Sequence, residues 1–303
     1  MIPPGKSILT KLDNDFVKKH KVNLYLKRED LLHPTISGNK WRKLKYNLIE
    51  AHAQDKNALI TLGGAFSNHV YAVAAAGELY NFQTIALIRG EATLPLNPTL
   101  DFAVQKGMKL IYIPRDKYKD KESLYIDIEK SYSSFYLIPE GGTNSLAVKG
   151  CTEIVGEIDI DFDYICCACG TGGTLAGIIQ GLQGEKKALG FSALRGEGIL
   201  EEDVEMLVGD KDKFRSNWTI NYNYHFGGYA KLDKQLVDFI DKFERDNAVT
   251  LEPIYTGKMM FGIYDLIEKG QFKAGETVVA LHTGGLQGLQ GLAPQMQKLR
   301  TEN

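Results

Sequence analysis

The 303-residue chain reads as an α/β fold of mostly parallel sheets flanked by helices. Three observations carry that expectation. Short apolar runs alternate with helical patterns along most of the chain. Several of these runs end in glycine, as "ALITLGG" and "ETVVALHTGG" do. The connections are short, as expected between successive strand–helix–strand units.

The first series starts near residue 57. Residues 58–64 form an apolar strand, 67–80 an Ala-rich helix, and 84–90 a second strand. A helix over 96–107 follows, then a strand over 109–114, a helix over 120–132 and a closing strand in 135–142. The second series has a helix over 145–158, a strand over 163–170, and a loop entering a helix over 171–183. A strand over 186–194 comes next. A helix over 232–247 shows its apolar face at Leu236, Phe239, Ile240 and Phe243. A helix over 256–270 and a strand within 276–285 complete it. Two series suggest two domains: a large one from 1–44 and 146–303, and a small one from 45–145. A cleft between such domains is a usual place for a small-molecule site.

Composition excludes several classes. Hydrophobic residues make up 44% of the chain, enough for one large core or two moderate ones. The formal charge is −2 with both signs interspersed, and no basic stripe suggests nucleic acid. The first residues carry no secretory pattern, and no apolar stretch is long enough to span a bilayer. A cytoplasmic protein is expected. Cys151, Cys166, Cys167 and Cys169 lack metal-ligand spacing, so no metal site is expected; three of them read as small apolar residues of a buried strand.

Gly170-Thr171-Gly172-Gly173-Thr174 follows a strand and opens a helix. Its glycines let backbone N–H groups approach an anion, and the helix start favours negative charge. The loop suits a phosphate, although a ligand-free turn has the same pattern. Lys40 lies in the first turn of a helix marked by Trp41, Leu44 and Leu48. The positive end of the helix dipole favours its neutral amine, which condenses with aldehydes. Among Arg42, Lys43 and Lys45 it also reads as one more solvated cation. Ser67 and Asn68 stand at a helix start, either as an ordinary cap or as donors to a carboxylate. Tyr229 and Tyr255 sit beside glycine-bearing turns, and Thr283 ends the last strand.

Taken together, "KRED", "SGNKWRKL", "SNHVYAVAAAG", "CGTGGTLAG", "EPIYTGK" and "HTGG" resemble the D-cysteine desulfhydrase / 1-aminocyclopropane-1-carboxylate deaminase family, over nearly the whole chain and in family order. These are pyridoxal-phosphate enzymes of fold type II, the tryptophan synthase β group. The resemblance implies a two-domain lyase or deaminase that acts on a small amino acid as a homodimer. It assigns Lys40 to the cofactor's Schiff base and to proton transfer. Asn68 is assigned to the cofactor's ring oxygen, and Gly170 to Thr174 to its phosphate. Thr283 is assigned to the pyridine nitrogen region, and Tyr229 and Tyr255 to catalysis. Ser67, Asn68, His69 and Thr256 are assigned to the substrate, with Ser67 also helping proton transfer.

The resemblance also separates branches. Cyclopropane deaminases carry glutamate after the second tyrosine and read HLGG. Here those positions are Thr256 and Thr283, as in the desulfhydrase branch. A hydroxyl holds a proton on the ring nitrogen less firmly than a carboxylate does. D-Cysteine is therefore the expected substrate, giving pyruvate, sulfide and ammonia. Deamination of the cyclopropane amino acid to 2-oxobutyrate is the alternative. A non-catalytic binding protein on the same scaffold is a third reading. Two departures bear on the substrate: Phe66 replaces the family's glutamine before the Ser-Asn pair, and Tyr71 stands where a polar or basic residue is usual. An aromatic there is expected to reshape the pocket.

Overall fold

A computed structural model describes residues 7–209 and 217–302. Among the described residues, ten strands form two sheets flanked by helices, with the short α1 (Asp15–His20) and α5 (Arg115–Lys119) in the connections. The expected α/β architecture is what the chain adopts. The ends of the expected large domain at 1–6 and 303, and its stretch 210–216, lie outside the described residues.

The smaller sheet has four parallel strands in the order β5-β4-β3-β6: β3 (Ala58–Gly64), β4 (Gln83–Arg89), β5 (Lys109–Ile113) and β6 (Tyr136–Ile138). Alternate residues of each strand serve opposite faces. Leu59, Ala86 and Ile88 join the core beneath helices α2 (Asn39–Ala53), α3 (Asn68–Tyr80) and α4 (Pro98–Gln105). Ile60, Leu62, Ile85 and Leu87 join the core under helix α6 (Lys121–Ser131). Both faces are covered, so these strands read as continuous apolar runs without polar alternation.

The larger sheet has six strands in the order β1-β2-β10-β7-β8-β9. They are β1 (Ile8–Lys11), β2 (Asn23–Arg28), β7 (Tyr164–Cys169), β8 (Lys187–Ser192), β9 (Trp218–Asn221) and β10 (Thr277–Leu281). Only β1 and β2 pair antiparallel among the described strands. Helices α7 (Ser145–Gly156), α8 (Gly173–Leu182) and α9 (Ile199–Val208) cover one face. Helices α10 (Lys234–Asn247), α11 (Thr256–Glu268) and α12 (Leu289–Thr301) cover the other. The cysteines follow the pleat: Cys166 faces one core, Cys167 and Cys169 the other, and Cys151 lies on α7. All four are free and buried.

Strands β1, β2 and β9 and helices α9 and α12 carry no clear pattern in the sequence. In β2 the run is broken by Lys27, which is fully buried. Its ammonium donates to the main-chain oxygens of Ser7 (3.1 Å) and Glu157 (3.0 Å), which makes a charged residue tolerable there. Only Met296 of α12 is buried, and Pro294 interrupts the helical pattern.

We propose the division into two domains at 45–145 because the four-stranded sheet falls within it and the six-stranded sheet outside it. Helix α2 crosses the boundary at 44/45, with Trp41, Leu44 and Leu48 in the core of the smaller sheet. Among the described residues, no helix is long and apolar enough to cross a membrane.

Candidate active site

Both sheets point strand ends toward one cleft. Lys40, Ser67, Asn68, His69, Gly170 to Thr174, Tyr229, Tyr255 and Thr283 all line it. Of the residues singled out for a site, Thr256 stands apart. It is fully buried in the first turn of α11, and its hydroxyl bonds Glu252 through the main-chain oxygen (3.2 Å) and the carboxylate (3.1 Å). Tyr71 also faces away from the cleft, stacked on Phe102 with ring centroids 3.8 Å apart. Phe66 lies outside it as well, half exposed. Neither aromatic lines the cleft, although their positions in the sequence suggest a place in its wall.

Lys40 projects from the first turn of α2, directly after Gly38, whose φ of 65° starts the helix from a conformation natural only to glycine. Its Nζ donates to Asn39 Oδ1 at 2.8 Å, and Asn39 Nδ2 donates to Thr174 Oγ1 at 2.9 Å. The lysine is thereby tied to the glycine loop. Burial lowers the Lys40 pKa to about 7, the nearby Lys43 charge adds to the shift, and Glu252 opposes it. Much of the amine is therefore neutral at physiological pH.

The glycine loop turns at Gly172 (φ 73°) and enters α8 with no side chain capping its first N–H groups. Lys43 comes up beneath it, one helical turn beyond Lys40, donating to Gly141 O (3.0 Å), Thr143 Oγ1 (3.0 Å) and Thr171 Oγ1 (3.4 Å). All three partners are neutral. No Asp or Glu among the described residues lines the cleft. A buried ammonium held only by neutral oxygens, beside an uncapped helix start, favours an anion.

Ser67 caps α3, its Oγ accepting from Val70 N at 3.3 Å, while the same residue lines the cleft. Thr61 Oγ1 donates to Ile138 O (2.9 Å), so His69 Nε2 donates to Thr61 Oγ1 (2.8 Å). That leaves Nδ1 as a buried acceptor with no partner among the described residues. Burial, with the charges of Lys40 and Lys43, pushes the His69 pKa well below the usual imidazole range, so the ring is neutral. Tyr229 and Tyr255 meet edge to face at 6.1 Å. Burial raises both phenols, which stay protonated at neutral pH. The turn that carries Tyr229 is pinned by Lys258, whose Nζ donates to His225 O (2.9 Å) and Gly228 O (2.8 Å).

Two quoted motifs gain a role here. Asp30 of "KRED" accepts both Arg28 Nε (2.8 Å) and Nη2 (2.7 Å), and lies 3.5 Å from His282 of "HTGG". His282 Nε2 also bonds Thr250 O at 2.8 Å. The buried guanidinium of Arg42 grips both oxygens of Glu29 (2.8 and 3.0 Å) and both of Glu157 (2.6 Å each), anchoring the helix that carries Lys40. Sequence reasoning missed Asn39, Lys43, Glu252 and Gln287. The i, i+3 spacing from Lys40 places Lys43 on the same helix face and was the one available signal.

The family described as pyridoxal-phosphate dependent enzymes matches residues 4–284. The chain belongs to that family. The Arabidopsis thaliana mitochondrial bifunctional D-cysteine desulfhydrase / 1-aminocyclopropane-1-carboxylate deaminase is 32% identical over 302 residues, covering 91% of this chain and 75% of the relative. A Pyrococcus furiosus protein, provisionally named a 1-aminocyclopropane-1-carboxylate deaminase, is 31% identical, covering 88% of this chain and 85% of its own. The crystal structure of a homologue of that deaminase superposes with a TM-score of 0.85 at 26% identity, over 99% of this chain and 95% of that one. The resemblance carried by the motifs is borne out, and so is fold type II. The protein is a pyridoxal-phosphate enzyme of the lyase and deaminase kind. Its cleft suits the cofactor: Lys40 offers an amine for the aldehyde, and Lys43 with the α8 N-terminus offers positive charge for the phosphate.

Proposed function

We propose that the protein catalyses β-elimination of D-cysteine, taking up water and releasing pyruvate, sulfide and ammonia. The observation that carries this reading is the chemistry of the cleft wall: Thr283 contributes a hydroxyl, and no described carboxylate lines the cleft. The bound cofactor supplies an electron sink for the pair left at Cα. Lys40 accepts the Cα proton, a role that its pKa of about 7 suits. Ser67 and the N–H groups at the start of α3 bind the substrate carboxylate, and Asn68 orients the cofactor ring. Tyr229 or Tyr255 presents a protonated phenol toward the leaving sulfur. Gly170 to Thr174 and Lys43 hold the phosphate.

Deamination of 1-aminocyclopropane-1-carboxylate to 2-oxobutyrate is the second reading, supported by the names of the relatives above. Product analysis decides between them. Purified protein loaded with pyridoxal phosphate is given D-cysteine, L-cysteine or the cyclopropane amino acid. Sulfide and pyruvate from D-cysteine support the first reading, and 2-oxobutyrate without sulfide supports the second. A homodimer is proposed from the family resemblance, and light scattering of the holoenzyme tests it.

A further inference from the structure

Two contacts join the walls of the cleft at the start of α3. Gln287 Nε2 donates to Asn68 Oδ1 at 2.6 Å, and both side chains line the cleft. Nearby, a Cβ on Gly291 would stand 2.9 Å from the Phe66 ring, so Phe66 packs against the first turn of α12. One wall belongs to the smaller sheet and the other to the segment that follows β10. The turn at 64–68 is therefore braced against the segment 285–291 by an apolar and a polar contact.

The polar contact holds the plane of the Asn68 amide, and in the structure its Oδ1 is the atom that faces Gln287. An amide presents an acceptor on one side and donors on the other. Because Gln287 supplies an N–H to Oδ1, the Nδ2 group is the one left for other partners. That group lies 2.6 Å from the point where a Cβ on Gly285 would stand. Only glycine at 285 leaves the amide room at this place. The Gln287 donor thus serves the Asn68 side chain.

We propose that Gln287 is a positioning residue: it locks the Asn68 amide with its N–H groups toward the cofactor's ring oxygen. This rests on the reading that Asn68 contacts the cofactor. On this reading Gln287 acts through Asn68 without touching the reacting atoms. Its effect passes through Asn68 and shows first in cofactor affinity and in the visible spectrum.

The test is a double-mutant cycle on the full chain, read by fluorescence titration with pyridoxal phosphate and by visible absorbance of the loaded protein against pH. Gln287→Leu keeps the side-chain size and removes the donor. It is expected to weaken cofactor binding about tenfold and to shift the pH midpoint of the visible band. Gln287→Glu, an acceptor facing an acceptor, should weaken binding at least as much at neutral pH. In an Asn68→Ala background the loss from Gln287→Leu should fall below about twofold. An unchanged affinity in Asn68→Ala alone would remove the reading of Asn68, and the proposal with it. A loss in Asn68→Ala with none in Gln287→Leu, or equal losses in both backgrounds, would overturn the proposal alone. Thermal melts of each variant without cofactor separate misfolding from mispositioning. A loss of binding that tracks a loss of folded protein counts against the proposal.

Discussion

The main-chain oxygen of Thr283 lies 1.8 Å from the point where a Cβ on Gly38 would stand. The turn that launches the Lys40 helix and the turn that ends β10 are nested backbone against backbone. Nothing larger than glycine fits at 38, and the φ of 65° with ψ of −148° there is itself nearly confined to glycine.

Gly38→Ala is therefore expected to destabilise the protein by at least about 3 kcal/mol, lowering the melting temperature by roughly 5 °C or more. Calorimetry or a denaturant titration measures it. A loss under about 1 kcal/mol would show that the turns separate without cost.

The Lys40 amine governs a pH dependence. Its pKa falls from 10.5 to about 7 on folding, so capture of pyridoxal by the cofactor-free protein should rise with pH and level off above about 8. The same shift sets a sign for stability. The unfolded chain binds more protons between pH 7 and 10.5, so this group's contribution grows as pH rises across that window and is absent below it. Lys43→Met removes a neighbouring positive charge and should move the capture midpoint upward.

Lys43→Met should also weaken binding of pyridoxal phosphate by about 10- to 100-fold, the worth of one charge-assisted hydrogen bond to the phosphate. Binding of unphosphorylated pyridoxal should change far less. Equal losses for both ligands would remove Lys43 from the phosphate site.

Arg42→Met leaves Glu29 buried and unpaired, and is expected to cost about 3–5 kcal/mol. Glu157 reports on the same network. Burial works against its charge, yet the hydrogen bonds from Arg42 hold its carboxyl below the usual value of 4.5. Its contribution is present above pH 4.5 and is lost as pH falls through the lowered pKa. Acid unfolding of the wild type should therefore begin at lower pH than that of Arg42→Met.

Thr283→Leu and Thr256→Glu separate two positions that the sequence treats alike. Thr283 lines the cleft, so Thr283→Leu should lower turnover of D-cysteine at least about tenfold while the fold stays intact. Thr256 is buried on the Glu252 carboxylate, so Thr256→Glu sets a second carboxylate beside it and should lower stability by about 3 kcal/mol or more. Melting curves and product assays on both variants check the contrast.

Much of this was legible from local pattern. The run 58–64 and the Ala-rich helix after it read directly, because a doubly covered strand and a buried helix leave apolar signatures. Strand β2 was not legible, since Lys27 owes its place to carbonyls of Ser7 and Glu157, and the latter lies 130 residues away. Lys40 and the glycine loop were legible as motifs, whereas the part played by Asn39 in joining them was not.

The sequence by itself determined the alternation of strands and helices, the glycine loop and the lysine at a helix start, because each is a matter of residues a few positions apart. The tertiary structure alone decided which side chains meet. Asn39 reaches Thr174 across 135 residues, Gln287 reaches Asn68 across 219, and Thr256 turns inward to Glu252 although its neighbour Tyr255 lines the cleft. Those choices follow from how two sheets and their helices pack, and contacts that depend on packing between distant segments leave no periodic trace in the chain.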